Sequence, residues 1–139
     1  MGLLTFRVFA LLLVLTTAGC KGDLDSLFPT TPDPVRVTET FSGTVAINGA
    51  ATHAFFTSTT GSVTATLTSL GDTPPESIGV SLGTWSGAAC TLVLVQDRAV
   101  VTSIVVGTVS TLGGSLCVRI YDAGRLTAPT PYEIKVDHP

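Results

Sequence analysis

From residue 37 onward the sequence predicts an all-β domain, a seven- to eight-stranded antiparallel β-sandwich or jelly-roll-like fold. Three observations predict it. Short runs rich in Val, Thr and Ile recur with turn residues between them, and several alternate apolar and polar residues with period two. No stretch of ten residues holds a capped helical period. Lys and Glu, common on exposed helices, are scarce, whereas β-branched Val and Thr suit a pleated, half-buried surface.

The first expected strand, Thr40–Ile47, is closed by the turn pair Asn48-Gly49. Thr52–Thr57 follows and ends at Thr60-Gly61. Ser62–Leu70 has clean alternation, Val63, Ala65 and Leu67 against Thr64, Thr66 and Thr68, and stops at Asp72-Thr73-Pro74-Pro75. Ile78–Leu82 and Thr91–Gln96 flank a Ser/Thr/Gly-rich segment that contains Trp85. Ser103–Ser110 ends before Gly113-Gly114. Ser115–Tyr121 sets Leu116, Val118 and Ile120 on the expected core face against Cys117, Arg119 and Tyr121, then meets Asp122-Ala123-Gly124. Tyr132–Val136 completes the set. Eight strands at this spacing bury one modest core in about 100 residues, the usual size of a single domain.

The residues ahead of the domain divide into a leader, 1–19, and a tether, 20–36. Arg7 gives the leader one positive charge, and Val8–Leu15 is an apolar run too short for a hydrocarbon core needing about 20 residues. Thr16-Thr17-Ala18-Gly19-Cys20 then resembles the bacterial lipobox, with Ala18, Gly19 and Cys20 in place and Thr17 where Leu is commonest. The resemblance implies cleavage before Cys20 and lipidation of its sulfur. Two or three acyl chains, at about 0.8 kcal/mol per buried CH₂, hold a protein that one chain would not. An ordinary secretory leader that releases a soluble protein is the alternative. Lys21 after the cysteine implies, by the enterobacterial sorting pattern, the outer membrane of the bacterial cell envelope, with the domain periplasmic or surface-exposed. Asp23, Asp25, Asp33, Pro29, Pro32 and Pro34 make residues 21–36 polar and extended, with a reach of roughly 50 Å in polyproline II geometry.

Removing Arg7 with the leader leaves six Lys/Arg against ten Asp/Glu, a net charge of −4. There is no basic cluster, so nucleic acid is not an expected partner. A weakly acidic surface also gives anionic lipid nothing to attract, and the expected membrane contact is the lipid on Cys20.

Thr52 to Pro139 resembles the bacterial pre-peptidase C-terminal domain. The residues that carry the likeness are His53-Ala54-Phe55-Phe56, the run Gly61-Ser62-Val63-Thr64-Ala65-Thr66-Leu67, and the closing stretches 114–122 and Tyr132-Glu133-Ile134-Lys135-Val136. The resemblance implies a β-sandwich and a non-catalytic accessory role. Where that family carries an Asp-x-Asp-Leu strand, this chain reads Ser77-Ile78-Gly79-Val80-Ser81-Leu82, so no metal is expected there.

With Cys20 lipidated, Cys90 and Cys117 are an even pair in an exported chain and are expected to form a disulfide, two free thiols being the alternative. Because Cys117 shares a face with Arg119 and Tyr121, the bridge is expected on the solvent side or near a sheet edge. Gly79-Val80-Ser81-Leu82-Gly83 matches the Gly-x-Ser-x-Gly nucleophile elbow, but no helix follows it. His53 and His138 sit at no metal-ligand spacing, and His138 is beside the C-terminus, where order is commonly lost. Asp72, Glu76, Asp97, Asp122 and Asp137 are expected in turns, bonding their own backbone. No enzyme activity, cofactor or metal is expected. Trp85 and Tyr121 are the residues open to ligand binding; Trp85 either presents its ring from a loop or folds over the end of the sandwich beside Cys90. The expected function is a membrane-anchored, non-catalytic lipoprotein presenting an accessory or protein-interaction module. The alternative is a carbohydrate- or envelope-binding module that uses Trp85, and the expected partner is an envelope protein or a glycan.

Overall fold

The computed structural model describes residues 35–139. The leader, the lipidation residue Cys20 and nearly all of the tether lie outside the described residues. Eight strands follow one another without a helix among these residues: β1 (Val37–Val45), β2 (Ala50–Thr57), β3 (Gly61–Ser69), β4 (Ile78–Trp85), β5 (Cys90–Ala99), β6 (Ile104–Val109), β7 (Gly114–Tyr121) and β8 (Thr130–His138). Every run expected from alternation is a strand. The boundaries moved most at β1, which starts three residues earlier and ends two earlier than expected, and at β5 and β8. β4 extends through Trp85 because Ser86 and Ala89 make the next turn tight. The Ser86 amide donates to the Ala89 carbonyl (3.0 Å), the Ala89 amide donates to Ser86 Oγ (3.1 Å), and Gly87 takes the left-handed φ of 91°.

The strands form two four-stranded antiparallel sheets, ordered β1-β8-β3-β6 and β2-β7-β4-β5. Hence β1 pairs with β8, β2 with β7, β3 with β6 and β4 with β5, the wound ribbon of an eight-stranded jelly roll. The facing sides supply the core. Val63, Ala65 and Leu67 of β3 meet Val118 and Ile120 of β7, with Ile134 and Val136 of β8 between the edges, all almost fully buried. The outer side of the first sheet is polar on three strands: Thr38, Thr40, Ser42 and Thr44 on β1, Glu133, Lys135 and Asp137 on β8, and Thr64, Thr66 and Thr68 on β3.

Successive connections alternate between the two ends of the sandwich. Those after β1, β3, β5 and β7 gather at one end; those after β2, β4 and β6 share the other with the N-terminal approach to β1. At the first end Asp122 fixes the β7–β8 connection. Its carboxylate accepts hydrogen bonds from the amides of Asn48 (2.9 Å), Arg125 (2.7 Å) and Leu126 (3.1 Å). These bonds, that from Asn48 foremost, hold its carboxyl below the ordinary carboxylate pKa. A depressed native pKa gives stability that is present above the unfolded value of about 3.9 and is lost as the pH falls toward the native one. Urea midpoints measured down an acid series should therefore fall less steeply for Asp122→Asn than for the unaltered chain; equal slopes would remove the linkage.

Candidate interaction surface

The two open sides of the sandwich, where edge strands of opposite sheets face each other, are built differently. On the β1/β2 side the gap is filled with rings. Phe41 of β1 stacks on His53 of β2 (centroids 4.8 Å, interplanar angle 13°), and Phe55 lies 5.2 Å from the ring of His138. His53 Nε2 is 2.7 Å from the hydroxyl of the buried Tyr132, and His138 Nε2 is 3.0 Å from Glu39 Oε1. Burial lowers the pKa of His53 and raises that of Tyr132. Both histidines are thus closing elements of the core. His138, expected in a frayed terminus, is an ordered and buried residue of β8, because pairing with β1 runs through Val37↔His138.

The β5/β6 side is not closed. Among the described residues, twelve large hydrophobic side chains are exposed, and seven of them lie on β5, β6 or the connection between them. Val93 is 66% exposed, Ile104 57% and Val106 56%. Val93 and Val106 flank an apolar cleft of about 410 Å³ whose floor includes Leu82, Leu94, Val109 and Leu116. Gly107 lines the cleft and leaves it room: a Cβ there would lie 3.0 Å from Leu94 Cδ1. By register Ile104 and Val106 face outward from the first sheet and Leu92 and Val95 outward from the second, so the exposed aliphatic side chains flank the open side from both sheets. The sequence carries a trace of this surface. Thr91-Leu92-Val93-Leu94-Val95 and Ile104-Val105-Val106 break the polar–apolar alternation, as strands covered on both faces do, yet no second cover is present.

The outer side of the second sheet holds the residues singled out from sequence. Cys90 and Cys117 are bridged, with Cα atoms 5.9 Å apart. Cys117 lies on the side away from the core, as its alternation implies, and the bridge reaches the edge strand β5, although Cys117 itself is fully buried. The bridge joins β5 to β7 across β4, passing beside Gly83, which pairs with Cys117. Trp85 is not in a loop. It is the last residue of β4, half-buried, and directly opposite Cys90. The Tyr121 ring lies over Gly79, and its hydroxyl donates to Asp97 Oδ1. Desolvation, followed by that bond to Asp97, pushes its pKa up to about 12. The Arg119 guanidinium sits 5.9 Å from the centre of the same ring, so Tyr121 is engaged within the protein.

Ser81, the serine of the elbow-like pentapeptide, is mid-strand and fully buried, with Oγ donating to the Arg119 carbonyl (3.4 Å). By register it faces outward, whereas His53 faces the sandwich interior opposite Val118. The pentapeptide is an alternating strand. Val80 and Leu82 point into the core, and Gly79, Ser81 and Gly83 leave room for what lies over them. Two carboxylates expected in turns, Asp97 and Asp137, belong to strands β5 and β8. Among the described residues no three His, Cys, Asp or Glu side chains are grouped to hold a metal ion. Compared with known protein families and with curated proteins, the chain matches no family model and none of those proteins.

Proposed function

We propose that this chain is an exported, membrane-anchored lipoprotein whose jelly-roll domain is a non-catalytic protein-interaction module. The observation that carries the interaction reading is the open β5/β6 side, where Val93 and Val106 flank an apolar cleft between two unpaired edge strands. Natural edge strands are usually blunted with charge, Pro or a cover. An uncovered, uncharged aliphatic edge is the mark of a surface that meets another chain. The anchor rests on the leader and the lipobox-like residues before Cys20, and the accessory role agrees with the likeness to pre-peptidase C-terminal domains.

A second reading, glycan binding, has a separate support. Phe56 pairs with Ser115, and Trp85 follows the last β4 residue paired with β7, so Phe56, Ser115 and Trp85 lie in one outward row. Two strand spacings separate the aromatic positions by about 10 Å. Ser115 and Ala54, beside Phe56 on the same face, are small.

The test uses the full chain as bait for envelope extract, alongside Val93→Lys, Val106→Lys, Trp85→Ala and Cys20→Ser. A protein retained by the unaltered chain and lost with either lysine variant supports the module. Glycan retention that is lost with Trp85→Ala moves the reading to the second site. Cys20→Ser should shift the chain from the membrane fraction to the soluble one, and an unchanged distribution would remove the anchor.

A further inference from the structure

The partner that the open edge fits best is a second copy of the chain. We propose that two copies join through β6, Ile104–Val109, paired antiparallel about a two-fold axis with Val106 opposite Val106 of the other copy. The proposal rests on the interaction reading above and names its occupant.

Three observations on β6 lead there. The first is backbone polarity. Leu67 donates its amide to the Ser103 carbonyl (3.0 Å), and β3 and β6 stay in register from Thr66↔Ile104 to Gly61↔Val109. In an antiparallel ladder hydrogen-bonded pairs alternate, so the odd-numbered residues of β6 turn their peptide groups to β3. The N–H and C=O groups of Ile104, Val106 and Thr108 are therefore presented at the free edge. A pair centred on Val106 joins Ile104 to Thr108, Val106 to Val106 and Thr108 to Ile104, each through outward-turned groups.

The second observation is the side chains. β6 carries no charge, no Pro and no bulge, so two copies meet without like-charge repulsion. The other sheet's exposed edge, β5, has two register breaks against β4 and carries Asp97 and Arg98, which disfavour continuous pairing. On the outer face of its own sheet, β6 alone is aliphatic, with Ile104 and Val106 beside the hydroxyl and charged rows of β3, β8 and β1. A two-fold axis normal to the sheet keeps residues 104, 106 and 108 of both copies on one face. The two aliphatic rows then merge into a central stripe of an eight-stranded sheet.

The third is reach. The paired sandwiches run end over end with β1 at both outer edges of the joined sheet, so their N-termini leave about 45 Å apart, about 34 Å across seven strand spacings and about 30 Å along a nine-residue strand. Residues 21–36, with a contour of roughly 50 Å, can bridge that span from one membrane.

The experiment is sedimentation velocity of the full chain in detergent micelles from micromolar to near-millimolar concentration, with oxidative cross-linking in vesicles of variants that carry one added cysteine. The expected result is a monomer–dimer equilibrium whose dissociation constant rises by about tenfold or more in Val106→Lys, the charge that guards natural edges. Val106→Cys should cross-link to itself, while the unaltered chain and Thr40→Cys on the opposite edge should not. A near-ultraviolet spectrum like that of the unaltered chain certifies the fold of each variant. A monomer throughout, with no Val106→Cys cross-link, overturns the proposal, as does a dimer indifferent to Val106→Lys. An envelope protein held by the monomeric chain and lost with Val106→Lys overturns it too, and leaves the interaction reading standing.

Discussion

Replacing Cys90 and Cys117 together by Ala is expected to cost about 3.5 kcal/mol, read as a lower guanidinium midpoint with little change in slope. The bridge closes a loop over a sequence separation of 27 residues, and the chain-entropy relation gives that figure from the freedom restored to the unfolded chain. Its place in the sheet argues for the full effect. β5 and β7 are not neighbours; β4 lies between them, and the bridge ties the free edge strand to a central strand across it. β5 otherwise hydrogen-bonds only to β4, in a ladder interrupted twice. A small domain holds only about 5–15 kcal/mol in total, so the reduced protein should melt well below the oxidised one. A loss under about 1 kcal/mol would mean that the unfolded chain is already compact around these residues.

The strands were legible because alternation and turn chemistry act locally. Val63, Ala65 and Leu67 announce a buried face whatever they pack against, and Asn48-Gly49 makes its turn from its own backbone: Asn48 takes the left-handed φ of 54°. The all-β sandwich class also followed from strand number and spacing, although the partners of each strand, and with them the jelly-roll connectivity, did not. What sequence could not supply was long-range. His53 and His138 are 85 positions apart, and both close the β1/β2 side because β1 and β2 sit at the same side of opposite sheets. The Ser/Thr/Gly segment around Trp85 reads as a loop, but the turn needs only Ser86 to Ala89, and Trp85 stays in β4 opposite Cys90. The exposed β5/β6 side was hidden for a related reason. An unbroken aliphatic run reads as a strand covered on both faces, and only the sheet order reveals that these two strands lie at the edges.

The glycines of β4 show how one local pattern can mimic a catalytic motif and serve packing instead. Gly83→Ala is expected to cost about 2–3 kcal/mol, the upper part of the range for overpacking a tight site. An added Cβ would lie 2.1 Å from the Thr91 carbonyl oxygen, a backbone atom that no rotamer change can move. Gly79→Ala meets the Tyr121 ring at 2.3 Å, but that ring can swing away at the loss of its bond to Asp97, so about 1 kcal/mol is expected there. At Gly83 relief requires β5 itself to shift, and β5 is pinned one residue beyond Thr91 by Cys90. The two features are therefore coupled. In the Cys90→Ala/Cys117→Ala background β5 is free to yield, and Gly83→Ala should cost about 1 kcal/mol less than it does with the bridge in place, a coupling typical of residues in contact. Denaturant midpoints for the four proteins of this cycle measure that difference. Strict additivity would show that hydrogen bonding to β4, not the bridge, holds β5 against the added methyl group.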